Sequence, residues 1–473
     1  MNNSEFYKTL IDQFPYDPTF GQKQLLGKLT HFILNPQNEE LFLLKGYAGT
    51  GKTTIVSTVV NNLQRIQKKS VLLAPTGRAA KVLKSYSGKS AFTIHKKIYL
   101  VGRRPDGSFQ MVLNRNKHVN TIFFVDEASM IQTGDLTGDS LFTNRNTLED
   151  LVNYVQSGKN CKLVLIGDSA QLPPVGMDVS PALDIKYLQS MFHLEVQNFE
   201  LKEVVRQAED SGILTNATAI RSEIEIPNLS HFINMNHFTD IAAITGETLE
   251  DNLNSAFSGN DDFNSTLITR SNKRANIYNQ EIRKRILYRE NEIASGDLLM
   301  VVKNNYFWLP EDSAAGFIAN GDIVEILKIN KYENLYGFRF ADVTIRMTDY
   351  PDEPELEVKI MLDTLMIEGP SLNREQSNNL FEAVMKDYED IPQRRKRLEK
   401  VKLNPWFNAL QVKFAYALTC HKTQGGQWEN VFIDLGYLKE EHMDHAFNRW
   451  LYTAFTRATR KLYLINFPER FFR

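Results

Sequence analysis

The sequence of 473 residues is poor in cysteine, has no long apolar run and carries nearly equal numbers of acidic and basic residues. Its two cysteines, Cys161 and Cys420, lie far apart, which excludes a disulfide framework or a zinc ribbon. No run of about 18 apolar residues occurs, and the N-terminus lacks a basic start followed by an apolar stretch. These absences predict a cytosolic protein that neither spans a membrane nor is exported.

Charge and composition narrow the class of protein further. The formal net charge is −2, so global basicity does not indicate a nucleic-acid partner, and any basic surface must be local. Hydrophobic residues make up 42% and charged residues 24%, as in ordinary globular proteins. The length predicts roughly three or four domains.

Short apolar runs alternate with helical patterns over the first 200 residues. The runs are LFLLK, SVLLAPT, TIFFVDEA and KLVLIGD, and each ends in a polar or turn-forming group. This pattern predicts an α/β domain over 1–200 whose parallel sheet binds a ligand at the carboxyl ends of its strands. A turn at 105–107 within IYLVGRRPDGSFQMVLNR predicts a β-hairpin insert at about 96–118.

A second α/β series begins near residue 201, with the late strands NVFIDL and KLYLINF. We expect this second domain to comprise 201–295 and 411–473. Between its halves, 296–410 alternates apolar and polar residues around Gly and Asn turns, which predicts a small inserted antiparallel barrel. A highly charged helical segment follows within it at about 371–404.

The stretch GYAGTGKTT at 46–54 follows an apolar strand and precedes a helical pattern. Gly46, Gly49 and Gly51 permit backbone conformations in which successive N–H groups point at a triphosphate. Lys52 would reach the β- and γ-phosphates, and Thr53 would ligate Mg²⁺. A chance glycine-rich turn is the alternative, and the strand–loop–helix context argues against it.

Acidic groups follow two of the other predicted strands. In VDEASM, Asp126 is placed to hold Mg²⁺ and Glu127 to polarise the attacking water. An acidic pair after a strand is otherwise only a helix start. In GDSAQLPPVG, Asp168 and Gln171 are placed where they could sense the γ-phosphate.

Eight motifs in order resemble those of superfamily 1 DNA helicases, specifically the RecD-like and Dda-like branch. They are GYAGTGKTT, APTGRAAKVL, TIHKK, VDEASM, GDSAQLPPVG, VVRQ, LTCHKTQGGQW and YTAFTRAT, spread over about 15–467. The resemblance implies two RecA-like domains, the first with a hairpin insert and the second with an SH3-like barrel insert. It also implies an ATP- and Mg²⁺-dependent DNA helicase that travels 5′-to-3′.

The resemblance assigns roles in the nucleotide site. Gln22 resembles the glutamine that reads adenine, with Gln24 as an alternative, and Gln171 the group that couples nucleotide state to the strand. Arg206 and Arg457 resemble two arginines that reach the γ-phosphate when the domains close. Further nucleotide contacts are implied for Ala48, Gly49, Thr50, Gly51, Thr54, Gln424 and Gly425.

The resemblance also implies contacts to single-stranded DNA through three loops. Their residues are Thr76, Arg78, Thr93, His95, Thr419, His421 and Lys422, whose side chains suit phosphate contacts. Phe109 or Tyr99 in the hairpin could act as a strand-separating pin, with core packing equally expected. The expected partners are single-stranded DNA and forked or tailed duplexes. A monomer is expected, and RNA stays open as the track.

Other functions remain open at this stage. A strand-stimulated ATPase could translocate or remodel protein–nucleic acid complexes without unwinding. A P-loop kinase or switch is a third possibility, which the later motifs disfavour. The helix at 371–404, with RRKR at 394–397, could contact DNA or a protein partner, although a solvated face is the favoured interpretation.

Overall fold

A computed structural model of the protein describes residues 1–37, 39–103, 109–131, 146–205, 211–224, 232–257, 264–310, 313, 315–350, 353–438 and 443–472. For 101–103 and 109–111 only the backbone is described.

The first half of the chain forms a parallel six-stranded sheet with helices on both faces. We call this sheet and its helices lobe 1. The order of its strands is β3-β2-β6-β7-β1-β8. The strands of this half are β1 Glu40–Gly46, β2 Lys69–Ala74, β3 Ala91–Thr93, β4 Tyr99–Arg103, β5 Phe109–Leu113, β6 Thr121–Val125, β7 Lys162–Gly167 and β8 Glu195–Leu201. The helices are α1 Asn3–Asp12, α2 Phe20–Leu34, α3 Lys52–Asn62, α4 Gly77–Ser87, α5 Ile94–Ile98, α6 Thr147–Gln156 and α7 Ile185–Phe192.

Both faces of the central strands of this sheet are buried, which explains why β1, β6 and β7 are largely continuous apolar runs. In β1, Leu41 and Leu43 pack into one core while Phe42 and Leu44 pack into the other. Side chains alternate between the faces of a strand, so a sheet covered by helices on both sides needs an apolar residue at every position.

The predicted hairpin is β4 paired antiparallel with β5, from Tyr99 opposite Leu113 to Arg103 opposite Phe109. Its turn lies outside the described residues. Tyr99 is buried in the core of lobe 1, and its hydroxyl donates to Asp150 Oδ2 at 2.7 Å.

The second half forms lobe 2, a parallel sheet of order β16-β10-β17-β18-β9 with its helices, and an inserted closed barrel β11-β12-β13-β14-β15. The strands are β9 Ile241–Ile244, β10 Ser265–Thr269, β11 Leu298–Val301, β12 Ile323–Leu335, β13 Phe338–Met347, β14 Leu356–Met361, β15 Leu410–Phe414, β16 Ala417–Thr419, β17 Trp428–Asp434 and β18 Ala458–Ile465. The helices are α8 Gly212–Ser222, α9 Gly246–Phe257, α10 Asn272–Glu281, α11 Arg374–Lys386, α12 Arg394–Lys402, α13 Cys420–Thr423 and α14 His445–Phe455.

The barrel closes through β15, which pairs with both β11 and β14. This strand begins at the expected domain boundary of 410 and ends at Phe414. We therefore propose the domain division expected from the sequence, with the return to lobe 2 moved to 415. The charged segment forms α11 and α12, which pack on the barrel through a small core that includes Phe340, Val384 and Val401.

The architecture confirms the predicted fold class of two RecA-like α/β domains, with a hairpin insert in the first and a barrel insert in the second. Cys161 and Cys420 are both buried and free. Within the described ranges, no helix is long and apolar enough to cross a membrane.

Candidate nucleotide and strand site

The carboxyl ends of β1, β6 and β7 lie side by side at one edge of lobe 1, because these strands are parallel neighbours. The loop 47–51 leaves β1 at this edge and leads into α3. Lys52 Nζ donates to the carbonyl oxygens of Gly46 at 2.6 Å and Tyr47 at 2.8 Å. The lysine ammonium therefore lies inside the curve of the loop. Thr53 is exposed in the first turn of α3.

Two loop glycines have left-handed backbones, with φ of 74° at Gly49 and 81° at Gly51. A Cβ at Gly51 would lie 2.5 Å from Nε2 of Gln22. Gln22 accepts from the Thr19 N–H at the start of α2 and donates to the Thr50 carbonyl at 3.1 Å. The structure thus places Gln22 against the phosphate loop, whereas the alternative Gln24 is exposed.

Asp126 follows β6, and both of its carboxylate oxygens accept hydrogen bonds. Oδ1 accepts from the Glu127 N–H at 2.9 Å, and Oδ2 accepts from the Tyr86 hydroxyl. Burial raises the pKa of Tyr86, and Asp126 raises it further, so the phenol remains a donor. Each carboxylate oxygen keeps a second lone pair, so Asp126 can still ligate Mg²⁺. Sequence reasoning missed Tyr86, since a tyrosine late in a helix looks like a core residue.

Glu127 interacts electrostatically with charged groups of both lobes. Its backbone is left-handed, with φ of 52°. Desolvation in the cleft raises the pKa of its carboxyl to about 7. The positive charges of Arg457 and Lys52 oppose this rise, and the negative charges of Asp126 and Asp168 add to it. A carboxylate with a pKa near neutrality is suited to accepting a proton from water.

The segment 168–172, which follows β7, is held by lobe 2. Arg449 donates to the Ser169 carbonyl at 2.6 Å, and Thr453 Oγ1 accepts from the Leu172 N–H at 2.9 Å. Gln424 Nε2 donates to the Leu172 carbonyl at 2.6 Å. Arg449 and Thr453 belong to α14, so the helix of one lobe fixes a loop of the other.

Arg457 is 3% exposed and follows α14 closely. Its guanidinium donates to the Thr453 carbonyl at 3.0 Å and the Gly426 carbonyl at 3.2 Å. The structure brings this predicted arginine into electrostatic range of Glu127. The other predicted arginine, Arg206, lies outside the described residues.

The buried amide of Gln171 bears on whether these residues fit a nucleotide with Mg²⁺. Its side chain is 6% exposed, and no hydrogen-bond donor within the described part of the chain meets its Oε1. A buried amide oxygen needs a donor, and a water at the γ-phosphate would supply one. Lys52, the left-handed glycines and Asp126 fit the phosphates and the metal, so the donor set is compatible with both.

The predicted strand contacts converge where lobe 1 meets lobe 2 and the barrel. The Thr76 and Thr93 hydroxyls cap α4 and α5 by accepting from backbone N–H groups, each at 3.2 Å. Arg78 lies 4.3 Å from the ring centroid of Trp428 and 4.0 Å from Asp349 of the barrel. A Cβ at Gly425 would lie 3.1 Å from Thr76 Oγ1.

The remaining predicted contacts to the DNA strand lie beside the barrel, in α13 or directly before α13. His95 contacts the Phe317 ring of the barrel, and burial lowers the pKa of the imidazole to about 4. Lys422 donates to Asn320 at 2.6 Å, and burial lowers the pKa of its ammonium to about 8. His421 is exposed, and Thr419 precedes α13. The side chain of Phe109 lies outside the described part of the structure.

Comparisons with known proteins agree with this architecture. A family model described as an AAA domain matches residues 21–240, and one described as a UvrD-like helicase C-terminal domain matches residues 414–465. The chain is 24% identical to the ATP-dependent DNA helicase Dda of Enterobacteria phage T4, over 95% of this chain and 99% of that protein. It is 23% identical to an uncharacterized protein of Acanthamoeba polyphaga mimivirus, over 94% and 99%.

A solved structure of a Pif1 helicase from Candida albicans aligns over 96% of this chain and 95% of its own, with a TM-score of 0.46 and 16% identity. The phosphate loop and the two parallel sheets define a P-loop nucleoside triphosphatase with two RecA-like lobes. Within that class, the two matched domain families, the similarity to Dda and a 28% identity to the ATP-dependent RecD2 DNA helicase of Deinococcus radiodurans, over 42% of this chain and 24% of that protein, confirm the predicted resemblance to superfamily 1 helicases of the RecD-like and Dda-like branch.

The first prediction concerns Gly51, with Gly88 as a matched control. Gly51→Ala and Gly88→Ala should each lose about 1–2 kcal/mol of stability, because both backbones are left-handed. A Cβ at Gly88 meets nothing within 4 Å, whereas one at Gly51 would displace Gln22. Calorimetric titration with ATP should therefore show weaker binding for Gly51→Ala alone, and equal affinities for the two variants would contradict this geometry.

The second prediction concerns the pH dependence of ATP hydrolysis. If Glu127 must be ionised to accept a proton from water, kcat/KM should rise about tenfold per pH unit below the pKa of its carboxyl. The rate constant should then level off above about pH 7. Glu203→Gln, which removes an exposed carboxylate near Gly21, should keep this limb. A flat profile between pH 5.5 and about 8 would rule out Glu127 as the ionising group.

Proposed function

We propose that the protein is an ATP-dependent DNA helicase that couples ATP hydrolysis to 5′-to-3′ movement on single-stranded DNA and unwinds duplexes. The observation that supports this proposal is a cluster of charged groups contributed by both lobes beside the phosphate loop. Lys52 and Glu127 belong to lobe 1 and Arg457 belongs to lobe 2, and the positive charges of Lys52 and Arg457 both lower the pKa of the Glu127 carboxyl. A site divided in this way makes hydrolysis depend on the relative placement of the lobes.

Each residue has a role in this proposal. Lys52 would bind the phosphates, and Asp126 with Thr53 would hold Mg²⁺, which would neutralise charge on the phosphates when bound. Glu127 accepts a proton from the attacking water. Arg457 stabilises the charge that develops on the transferred group, and we propose the same role for Arg206.

We propose that the strand passes the junction formed by Thr76, Arg78, Gly425 and the barrel. The loops of both lobes meet there, since Gly425 lies against Thr76 and a Cβ at Gly426 would lie 2.6 Å from Arg78 Cδ. Movement of one lobe against the other would displace phosphate contacts on one side relative to the other. Thr93, His95, Thr419, His421 and Lys422 would add contacts along the same path.

A second candidate function is a strand-stimulated translocase that remodels protein–nucleic acid complexes without unwinding. The burial of Tyr99 supports this second function, because a buried ring whose hydroxyl is hydrogen-bonded to Asp150 is not free to separate strands.

Phe109 is then the remaining candidate for the strand-separating pin. Phe109→Ala should abolish unwinding while sparing strand-stimulated ATPase, and unaffected unwinding would remove the hairpin from the mechanism.

Further proposals concern cofactor, partners and location. With the helicase function we propose ATP and Mg²⁺ as cofactors and forked or tailed duplex DNA as the partner. We also propose a monomeric state, a cytosolic location and a role in replication, recombination or repair. The N-terminus of α12 exposes Arg394, Arg395 and Lys396. Arg395 lies 3.5 Å from Glu399 one turn later, as expected for a solvated face, and a protein partner at this helix is a weaker proposal.

The third prediction tests activity, polarity and track together. Unwinding is measured on duplexes with a 5′ or a 3′ single-stranded tail, in DNA and in RNA, with Lys52→Ala as the inactive control. We expect that only the 5′-tailed DNA is opened, and that Lys52→Ala opens nothing. Opening from the 3′ tail would contradict the proposed direction, and ATPase without stimulation by single-stranded DNA would contradict the helicase function.

A further inference from the structure

A chain of hydrogen bonds crosses the cleft through a tyrosine of lobe 2 that has no role so far. The Ala48 N–H of the phosphate loop donates to the Tyr452 hydroxyl at 2.9 Å. That hydroxyl donates in turn to Asp168 Oδ2 at 2.6 Å. Tyr452 and Asp168 are each 1% exposed, so neither group has water as a substitute partner.

The direction of this chain is set by the groups themselves. Burial raises the pKa of Tyr452 well above its usual value, and the nearby charge of Asp168 raises it further. The phenol therefore keeps its proton and donates a hydrogen bond to the Asp168 carboxylate, while a lone pair on its oxygen accepts one from the Ala48 N–H. The other oxygen of Asp168 accepts from the Ala170 N–H at 2.9 Å, so the carboxylate is held from two sides.

Tyr452 also lies at a mechanically significant position in lobe 2. It belongs to α14, where the adjacent residue Thr453 bonds the backbone of Leu172. Arg457 donates to the Thr453 carbonyl, so the same turn positions the predicted charge-stabilising arginine. One helical turn thus touches the phosphate loop, the segment 168–172 and the arginine.

We propose that the Tyr452 hydroxyl is a positioning group that couples the strand to ATP hydrolysis. It ties the phosphate loop and Asp168 of lobe 1 to the turn of lobe 2 that carries Arg457. The hydroxyl touches no phosphate in this proposal and acts through Ala48 and Asp168. This inference rests on the proposed function, because it assigns the coupling within the same site.

The chain supplies a closely matched control in another buried tyrosine. Leu298 N–H donates to the Tyr416 hydroxyl at 3.1 Å, which donates to Asp297 Oδ1 at 3.1 Å. Tyr416 and Asp297 are both 0% exposed and lie where lobe 2 joins the barrel, away from the cleft. The Tyr416 hydroxyl also accepts from Arg289, so its removal costs at least as many hydrogen bonds as the loss at Tyr452, without touching the proposed nucleotide site.

The experiment compares Tyr452→Phe with Tyr416→Phe and the unaltered protein. ATPase kcat and KM are measured with and without saturating single-stranded DNA, and thermal unfolding is recorded for each protein. For Tyr452→Phe we expect the stimulation of kcat by DNA to fall about tenfold, the factor for one lost hydrogen bond to a charged group. KM for ATP should change less than about twofold. Tyr416→Phe should lower the unfolding temperature and keep the full stimulation.

A second arm approaches the pair from lobe 1, so that the result does not depend on the packing of α14. Asp168→Asn alone and Asp168→Asn with Tyr452→Phe complete a double-mutant cycle on the stimulation ratio. If the two groups act as one unit, the double variant should be no worse than the worse single variant. The proposal would be overturned if the double variant lost stimulation by the product of the two single losses. It would also be overturned if Tyr452→Phe kept full stimulation. Absence of stimulation in the unaltered protein would instead overturn the proposed function.

Discussion

The contact of α14 with the segment 168–172 is the interaction on which the working site depends. Lobe 1 carries the phosphate loop, Asp126 and Glu127, to which we assign the triphosphate and the metal. The proposed charge stabilisation from lobe 2 comes from Arg457, which follows α14 and donates to the carbonyl oxygen of Thr453 in that helix. The hydrogen bond that Arg449 donates to this segment and the one that Thr453 accepts from it hold the two half-sites together in this conformation.

The same contact links the nucleotide to the proposed strand path. Gln424 bonds Leu172, and its neighbour Gly425 lies against Thr76 at the start of α4. At the other end of α4, the Tyr86 hydroxyl bonds Asp126. A rigid helix therefore connects a proposed strand contact with a proposed metal ligand. The barrel closes over this junction, where Asp349 approaches Arg78. The proposed nucleotide, metal and strand contacts thus share a small set of rigid elements.

Much of this arrangement could be predicted from the sequence, for identifiable reasons. Strands covered on both faces are apolar at every position, so β1, β2, β6 and β7 were visible as runs. The short strands β3, β9 and β16 have three or four residues each and too little pattern to stand out. β15 was assigned to lobe 2, because pairing with β11 depends on contacts distant in the chain. Tyr86 and Tyr452 were missed as functional residues, since a buried tyrosine in a helix resembles ordinary core until its partner is seen.

The central claim is that the two lobes form one site whose closure depends on the nucleotide. Cys161 and Cys420 are both buried, so single exposed cysteines at Gln64 and Glu469 allow selective labelling of each lobe with fluorophores. Energy transfer between the labels, measured with a non-hydrolysable ATP analogue and Mg²⁺, reports the relative placement of the lobes. The account predicts a change in transfer efficiency on binding that Lys52→Ala abolishes. Unchanged transfer in a protein that demonstrably binds the analogue would contradict it.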